Sequence, residues 1–361
     1  MNRSGAFNEK NMRHLQIADR GIGEGNSAFI VGEVGMSHEG SLGIAHAYID
    51  AIAKTGADAV KFQTHIAAEE STRDEPFRVQ FSMQDASRYD YWKRMEFTEE
   101  QWRGLMQHAE QKGLLFLSSP FSIAAMEMLL RVGVPAWKVG SGEAHAVEML
   151  RAMASTGLPM LLSTGMSTTE EVDRQVQFLR QKAVPFALLQ CASRYPTPFE
   201  EVGLNVIEEL RCKYQCPTGL SDHSGTIFPG LAAMATGADI LEVHVVIDRG
   251  MFGPDVGSSV TMSELQLLSS ARDAFDIMRR NPVEKTAAAH RLSDVKALFT
   301  KSLAPTRPLK AGTVLERSML TAKKPGTGIP CDRLDALVGR RLLRDVAPDR
   351  LLTKDDFDAE T

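Results

Sequence analysis

The chain has 361 residues, 43% hydrophobic and 24% charged, with 41 basic against 46 acidic side chains for a net charge of −5. That composition suits a globular protein with a large core and argues against disorder, collagen-like repeats and a disulfide scaffold. No basic block is long enough to act as a polyphosphate stripe, which excludes nucleic acid as the principal partner.

The amino end, MNRSGAFNEKNMRH, lacks the apolar core of a secretory signal, and residues 1–28 read as a leader. No apolar run approaches the roughly 18 residues that cross a bilayer. The four cysteines, Cys191, Cys212, Cys216 and Cys331, fit reduced thiols, and the expected location is the cytoplasm. Cys212 and Cys216, with no second pair and no nearby His, make a poor zinc site.

From Phe29 onward, short apolar runs alternate with amphipathic stretches in the rhythm of repeated βα units. The runs are FIVGEVG (29–35), DAVKFQTH (58–65), LLFLSSPF (114–121), AWKVGSGE (136–143), PMLLSTG (159–165), FALLQCAS (186–193), TGLSDHS (218–224) and ILEVHVV (240–246). Eight closes a barrel, so residues 29–280 are expected to form an α/β domain of the TIM (β/α)8 type, about 250 residues long. The joints KTGADAVKF, RVGVPAWKV, STGLPMLLS and ATGADILEV each place a Gly where a helix must end before the next strand. Ser167-Thr168-Thr169-Glu170-Glu171 puts hydroxyls and carboxylates at a helix start, where unpaired N–H groups need acceptors.

A charged, aromatic insertion at about residues 66–97 is longer than a normal barrel loop and lies at the strand C-terminal end. It is placed either to cover a site or merely to pack on the rim. After a helix near 262–280, residues 281–298 are polar and poorly periodic and read as a linker. Residues 299–361 follow as a small unit of short strands with Pro and Gly turns.

In such a barrel the chemistry belongs at the strand C-terminal ends. Glu33 and His38 follow the first run, Lys61, Gln63 and His65 end the second, Ser118 and Ser119 the third, and Lys138, Ser141 and Glu143 the fourth. Ser193 and Tyr195 follow the sixth, Ser221, Asp222 and His223 end the seventh, and His244 lies in the eighth. A lysine inside AVKFQ or AWKVG is costly to bury without an anion, so Lys61 and Lys138 point to a phosphate-bearing ligand. The alternative is pairing of each with a barrel carboxylate such as Glu33 or Glu143. His223 and His244 end consecutive strands, and two imidazoles with open positions suit a divalent metal, with Asp222, Glu242 and Asp255 nearby.

At these residues the chain resembles the N-acetylneuraminate synthase family, which includes the sialic, legionaminic and pseudaminic acid synthases. EVGMSHEG, VKFQTH, SSPF, KVGSGE, YPTP, GLSDHS, EVHVV and MFGPDVGSSV follow in the family's order across about residues 29–260, and AGTVLERSMLTAKKPGTGI resembles its C-terminal antifreeze-like (SAF, β-clip) domain. The resemblance implies a transferase that condenses phosphoenolpyruvate with an N-acetylated amino sugar such as N-acetylmannosamine. The products are a nine-carbon 2-keto acid and phosphate. It also implies a divalent metal, Mn²⁺ before Mg²⁺ or Co²⁺, and a domain-swapped homodimer.

Carried over by position, His223 and His244 match metal ligands, and Lys61, Lys138, Ser141 and Ser221 match phosphoenolpyruvate contacts. Glu33, Gln63, Tyr195 and Asp255 match positions around the sugar or metal-bound water, and Glu143 an active-site acid. Departures occur at Ser37 (usually Asn), Ser119 (usually Thr), Ser193 (Asn in some members) and Lys324, which replaces an Arg that in the family reaches the partner's sugar. Lysine lacks the planar guanidinium fork, so these changes bear on the sugar, with a 6-deoxy or diacetamido acceptor among the expectations. The alternatives are a phosphoenolpyruvate-dependent synthase of the 3-deoxy-octulosonate 8-phosphate type, against which the PGTGI tail argues, and a carbohydrate-binding scaffold without turnover.

Overall fold

A computed structural model describes residues 13–77 and 81–358. The chain divides into two units, Met1–Arg280 and Asn281–Thr361.

The first unit opens with an antiparallel hairpin, β1 (His14–Ile17) and β2 (Arg20–Gly23). Its Leu15, Ile17 and Ile22 are buried against Phe29, Val31, Ala59, Ala136 and Ile240, at the beginnings of the barrel strands. The segment read as a leader is therefore, from His14 on, the floor of the barrel. The remainder of that leader, residues 1–12, lies outside the described residues.

The eight apolar runs all become strands: β3 (Phe29–Gly35), β4 (Ala59–Thr64), β5 (Leu115–Pro120), β6 (Trp137–Val139), β7 (Met160–Ser163), β8 (Phe186–Cys191), β9 (Thr218–Asp222) and β10 (Ile240–Val246). They pair in parallel in the order β5-β4-β3-β10-β9-β8-β7-β6, and the two ends of that path lie side by side, so the barrel is nearly closed. The joint glycines Gly56, Gly133, Gly157 and Gly237 all adopt positive φ, the left-handed conformation that stops a helix and turns the chain back to the sheet. Thr168 caps Thr169–Gln181 with a reciprocal bond from Glu171.

Side chains alternate across each strand. Outward residues such as Ile30, Phe62, Phe116 and Trp137 pack under the helices with Tyr48 and Trp102. Inward residues are apolar through the lower barrel, where Phe29, Val31, Ala59, Leu117, Leu161, Ala187, Leu189 and Ile240 meet. One step higher, the inward positions of seven of the eight strands turn polar, and this layer holds Glu33, Lys61, Ser119, Lys138, Ser163, Ser221 and Glu242, all buried, while β8 contributes Cys191.

In the second unit, β12 (Ser302–Pro305) pairs antiparallel with β13 (Leu320–Lys323); β11 is the two-residue Val260–Thr261 beside β10. Ten apolar side chains, among them Leu303, Leu315, Ile329, Leu342 and Phe357, form its own core. The segment expected as a linker carries two helices, Lys285–Arg291 and Ser293–Phe299. Their polar faces left little periodicity to read.

Candidate active site

The polar layer opens into a cavity of about 410 Å³. Glu33, Lys61, Gln63, Ser119, Lys138, Ser141, Glu143, Ser193, Tyr195, Ser221, His223, His244 and Asp255 all line it. Thirteen residues spread over more than two hundred positions meet because they occupy inward positions at the same height, or the loops just above. The ladder register sets this up, with Glu33 beside both Lys61 and His244, Gln63 beside Ser119, and Ser221 beside both Cys191 and Glu242. The remaining predicted residue, Lys324, belongs to the second unit, where it is exposed with its ammonium 5.2 Å from the Phe299 ring centre.

Both lysines are paired with carboxylates. Lys61 Nζ lies 2.8 Å from Glu33 Oε2 and 3.9 Å from Glu242 Oε2. Lys138 Nζ lies 3.3 Å from Glu242 Oε1 and donates to Ser163 Oγ at 2.9 Å. Burial works against the Lys61 ammonium, but Glu242 and Glu33 outweigh it and hold its pKa above the ordinary value. Burial likewise opposes the Glu242 carboxylate, yet Lys138, Lys61 and the Ser221 hydroxyl, which donates at 2.9 Å, hold its pKa well below the usual range. Glu242 is thus the hub of the layer. The sequence offered a signal for it, since in ILEVHVV it stands two places before His244 and must share its face.

His223 and His244 approach with ring centres 5.1 Å apart. His223 Nδ1 faces the Ala192 carbonyl at 3.2 Å and its Nε2 the Tyr195 hydroxyl at 2.8 Å. Burial, with His244 adding to it, pushes the His223 pKa well down, so the ring is a neutral imidazole able to ligate. The Nδ1 of His244 is buried without a hydrogen bond and lies 3.9 Å from Asp255 Oδ2. Among the described residues no three His, Cys, Asp or Glu side chains converge as a metal-ligating group. The buried, unbonded His244 Nδ1 beside the His223 ring is the observation that would suit an ion, which these two imidazoles would hold.

Two expected neighbours stand elsewhere. Asp222 alternates to the outer face of β9, where its carboxylate accepts from Ser224 N and Oγ, and burial raises its pKa to about 6. His38 is a core residue, fully buried, tilted at 34° against Phe97 with ring centres 4.8 Å apart, and held by burial to a pKa of about 3.

Glu143 sits half-buried on a short 3-10 turn, Glu143–His145, and burial followed by repulsion from Glu70 raises its pKa to about 7. Glu70 comes from the insertion, which also supplies Phe77, Phe81, Tyr91 and Trp92 to the cavity wall. Of the two roles open to the insertion, the structure gives it that of a wall. Gly35 closes the arrangement from β3. It takes a φ of +54° at a break in register, a left-handed conformation that favours glycine, and a Cβ there would make only ordinary contact, 3.4–3.5 Å, with Gln63, Glu33 and His244.

Comparison with known proteins places this geometry. Residues 48–281 match the NeuB family and residues 300–358 the SAF domain. The chain is 31% identical over 346 residues to human N-acetylneuraminate-9-phosphate synthase, covering 94% of this chain and 95% of that one. It is 31% identical over 329 residues to the N,N'-diacetyllegionaminic acid synthase of Legionella pneumophila, covering 89% and 92%. The crystal structure of N-acetylneuraminic acid synthetase from Leptospira borgpetersenii, in complex with citrate, superposes with a TM-score of 0.70 at 30% identity over 79% of this chain and 96% of that one. With its family match running through the barrel and a SAF domain after it, the chain belongs to the NeuB family.

Proposed function

We propose that this protein is a nonulosonic acid synthase that joins phosphoenolpyruvate to N-acetylmannosamine or a related N-acetylated hexose, giving a nine-carbon 2-keto acid and phosphate. The observation that carries the reading is the pair of buried lysines, Lys61 and Lys138, gathered on Glu242 at the base of a cavity that also holds His223 and His244.

Phosphoenolpyruvate binds with its anionic groups on Lys61 and Lys138, helped by the hydroxyls of Ser119, Ser141 and Ser221. Fixed there, its C3 is held toward the open-chain aldehyde of the acceptor, which removes much of the entropic barrier to carbon–carbon bond formation. Gln63, Ser193, Tyr195 and Asp255 orient the sugar. A divalent ion, Mn²⁺ before Mg²⁺ or Co²⁺, held by His223 and His244, supplies Lewis acidity toward the aldehyde oxygen. Water then adds at C2 of the former enol, and phosphate departs by C–O cleavage. Glu143, with its pKa near 7, suits a proton donor at working pH, while Glu33 faces the reacting groups as an acceptor. The aromatic wall from the insertion keeps bulk water from the cationic centre at C2.

Lys324 enters the same proposal as a contact to the acceptor of the partner subunit in a domain-swapped homodimer. The decisive assay measures phosphate released from phosphoenolpyruvate with Mn²⁺ over a panel of N-acetylmannosamine, diacetamido-trideoxy hexoses and mannosamine 6-phosphate. Release should require both sugar and metal. Release independent of both would sink the proposal.

A further inference from the structure

Beside the site, one imidazole has surroundings that the reaction above does not use. His65, at the end of the second apolar run, is 2% exposed. Its ring lies between two aromatic planes, Trp92 at 4.0 Å and 12° and Phe121 at 4.3 Å and 14°. Trp92 comes from the insertion and Phe121 from the loop after β5, so the sandwich ties the cavity wall to the barrel rim. The indole N–H of Trp92 is itself held by Glu75 at 3.0 Å. A ring stacked on both faces cannot rotate about its own plane without opening the stack, and its two nitrogens therefore point at fixed partners.

Both partners present acceptor oxygens, so both nitrogens must donate and the ring carries a hydrogen on Nδ1 toward Glu70 as well as one on Nε2. Nδ1 makes a short contact with Glu70 Oε1, and Nε2 faces Gln63 Oε1 at 3.4 Å. The other end of the Gln63 amide, Nε2, donates to Glu33 Oε1 at 3.0 Å. A carboxylate oxygen accepts only, so the amide nitrogen belongs on the Glu33 side and the amide oxygen must face His65. An oxygen there needs an N–H, which only His65 Nε2 can provide. Glu70 is fixed in turn by the Ile66 N–H at 3.2 Å, so the far end of the chain is anchored to backbone.

We propose that His65 is a positioning residue of the active site: clamped between Trp92 and Phe121 and anchored by Glu70, it carries a proton on Nε2 that holds the Gln63 amide with its NH2 toward Glu33. Without that donor the amide is free to turn, presenting oxygen to Glu33 and losing the bond that orients both groups toward the acceptor. The inference rests on the synthase reading for its kinetic consequence and on the hydrogen-bond geometry alone for its structural one. Those two parts are tested separately.

The structural test is nitrogen-15 NMR of the histidine rings at pH 7, with the His65 signals assigned by their loss in His65→Phe. A protonated Nε2 is expected, and a bare Nε2 overturns the proposal whether or not the enzyme turns over. The kinetic test is the phosphate-release assay on His65→Phe, a change that preserves the aromatic stack and removes both nitrogens. The expected result is a fall in kcat/KM for the acceptor on the order of tenfold, typical of losing a group that orients a reacting one, with the KM for phosphoenolpyruvate unchanged. Gln63→Ala should add little further loss in the His65→Phe background, because both changes break one chain. Unaltered acceptor kinetics, or losses that multiply in the double variant, overturn the proposal. A wild-type protein that releases no phosphate with any acceptor overturns the synthase reading instead, and the NMR result then decides His65 alone.

Discussion

Glu242 Oε1 lies 3.3 Å from Lys138 Nζ, while its other oxygen lies 3.9 Å from Lys61 Nζ, so one carboxylate bridges two ammonium groups inside the barrel. Each of the three side chains is 4% exposed or less. Removing Glu242 leaves Lys138 buried without a carboxylate and Lys61 with Glu33 alone, and an unpaired charge away from solvent is costly. Glu242→Gln should therefore destabilise the first unit by about 3–5 kcal/mol, read as a lowered midpoint in urea with the slope unchanged. An unaltered midpoint would show that Lys61 and Lys138 find other compensation.

Under the proposed chemistry the same cluster sets anion affinity. Lys138→Met keeps the volume and loses the charge, and a charge-assisted hydrogen bond contributes about 1.5–3 kcal/mol. The KM for phosphoenolpyruvate should rise roughly tenfold to a hundredfold, while the KM for the acceptor stays near its original value. Equal effects on both substrates would argue against Lys138 as an anion contact.

Glu143 predicts a pH dependence. Its pKa is raised to about 7 by burial and by Glu70, so the folded protein holds this proton more tightly than the unfolded chain. The associated stability is present at low pH and declines as pH climbs from the ordinary carboxylate range toward 7. Under the proposed chemistry the protonated form is the donor, and phosphate release should fall as pH rises past about 7. In Glu143→Gln that limb should vanish from the profile and kcat should drop. A limb that persists in the variant assigns it to another group.

Metal binding can be measured apart from turnover. His244→Ala should abolish phosphate release and also remove Mn²⁺ binding, followed by electron paramagnetic resonance of the free ion. Retained binding in that variant would place the metal elsewhere.

The hairpin floor is open to a stability test. Leu15 is 1% exposed and Ile22 fully buried, so Leu15→Ala and Ile22→Ala should each cost about 2–5 kcal/mol by emptying packed space. Thermal unfolding of the two variants checks this, and midpoints equal to the original would return residues 13–28 to the status of a leader.

The barrel was legible in the sequence because its signals are redundant: apolar runs, Gly at several joints and caps such as Thr168 all agree. The site was legible where a charge interrupts an apolar run, as Lys61 and Lys138 do, since burying such a group demands a partner. What escaped has physical reasons as well. Asp222 was grouped with its neighbours by proximity in the chain, but strand alternation turns it outward from Ser221 and His223. HLQI and RGIG are too short, and too rich in polar residues, to announce a strand pair whose apolar members count only once they meet the barrel. The insertion showed its aromatic content, whereas the stack of Trp92 on His65 depends on a fold that brings residues twenty-seven apart into register. No helix among the described residues is long and apolar enough to cross a membrane, in line with the absence of any such run.

The hairpin under the barrel has one more consequence. Leu15, Ile17 and Ile22 stopper the lower end of the strands beneath the apolar layers, which leaves the upper mouth as the route by which molecules reach the lysines. Under the proposed chemistry a water molecule is itself a reactant, and it must travel the same corridor as both substrates and the departing phosphate.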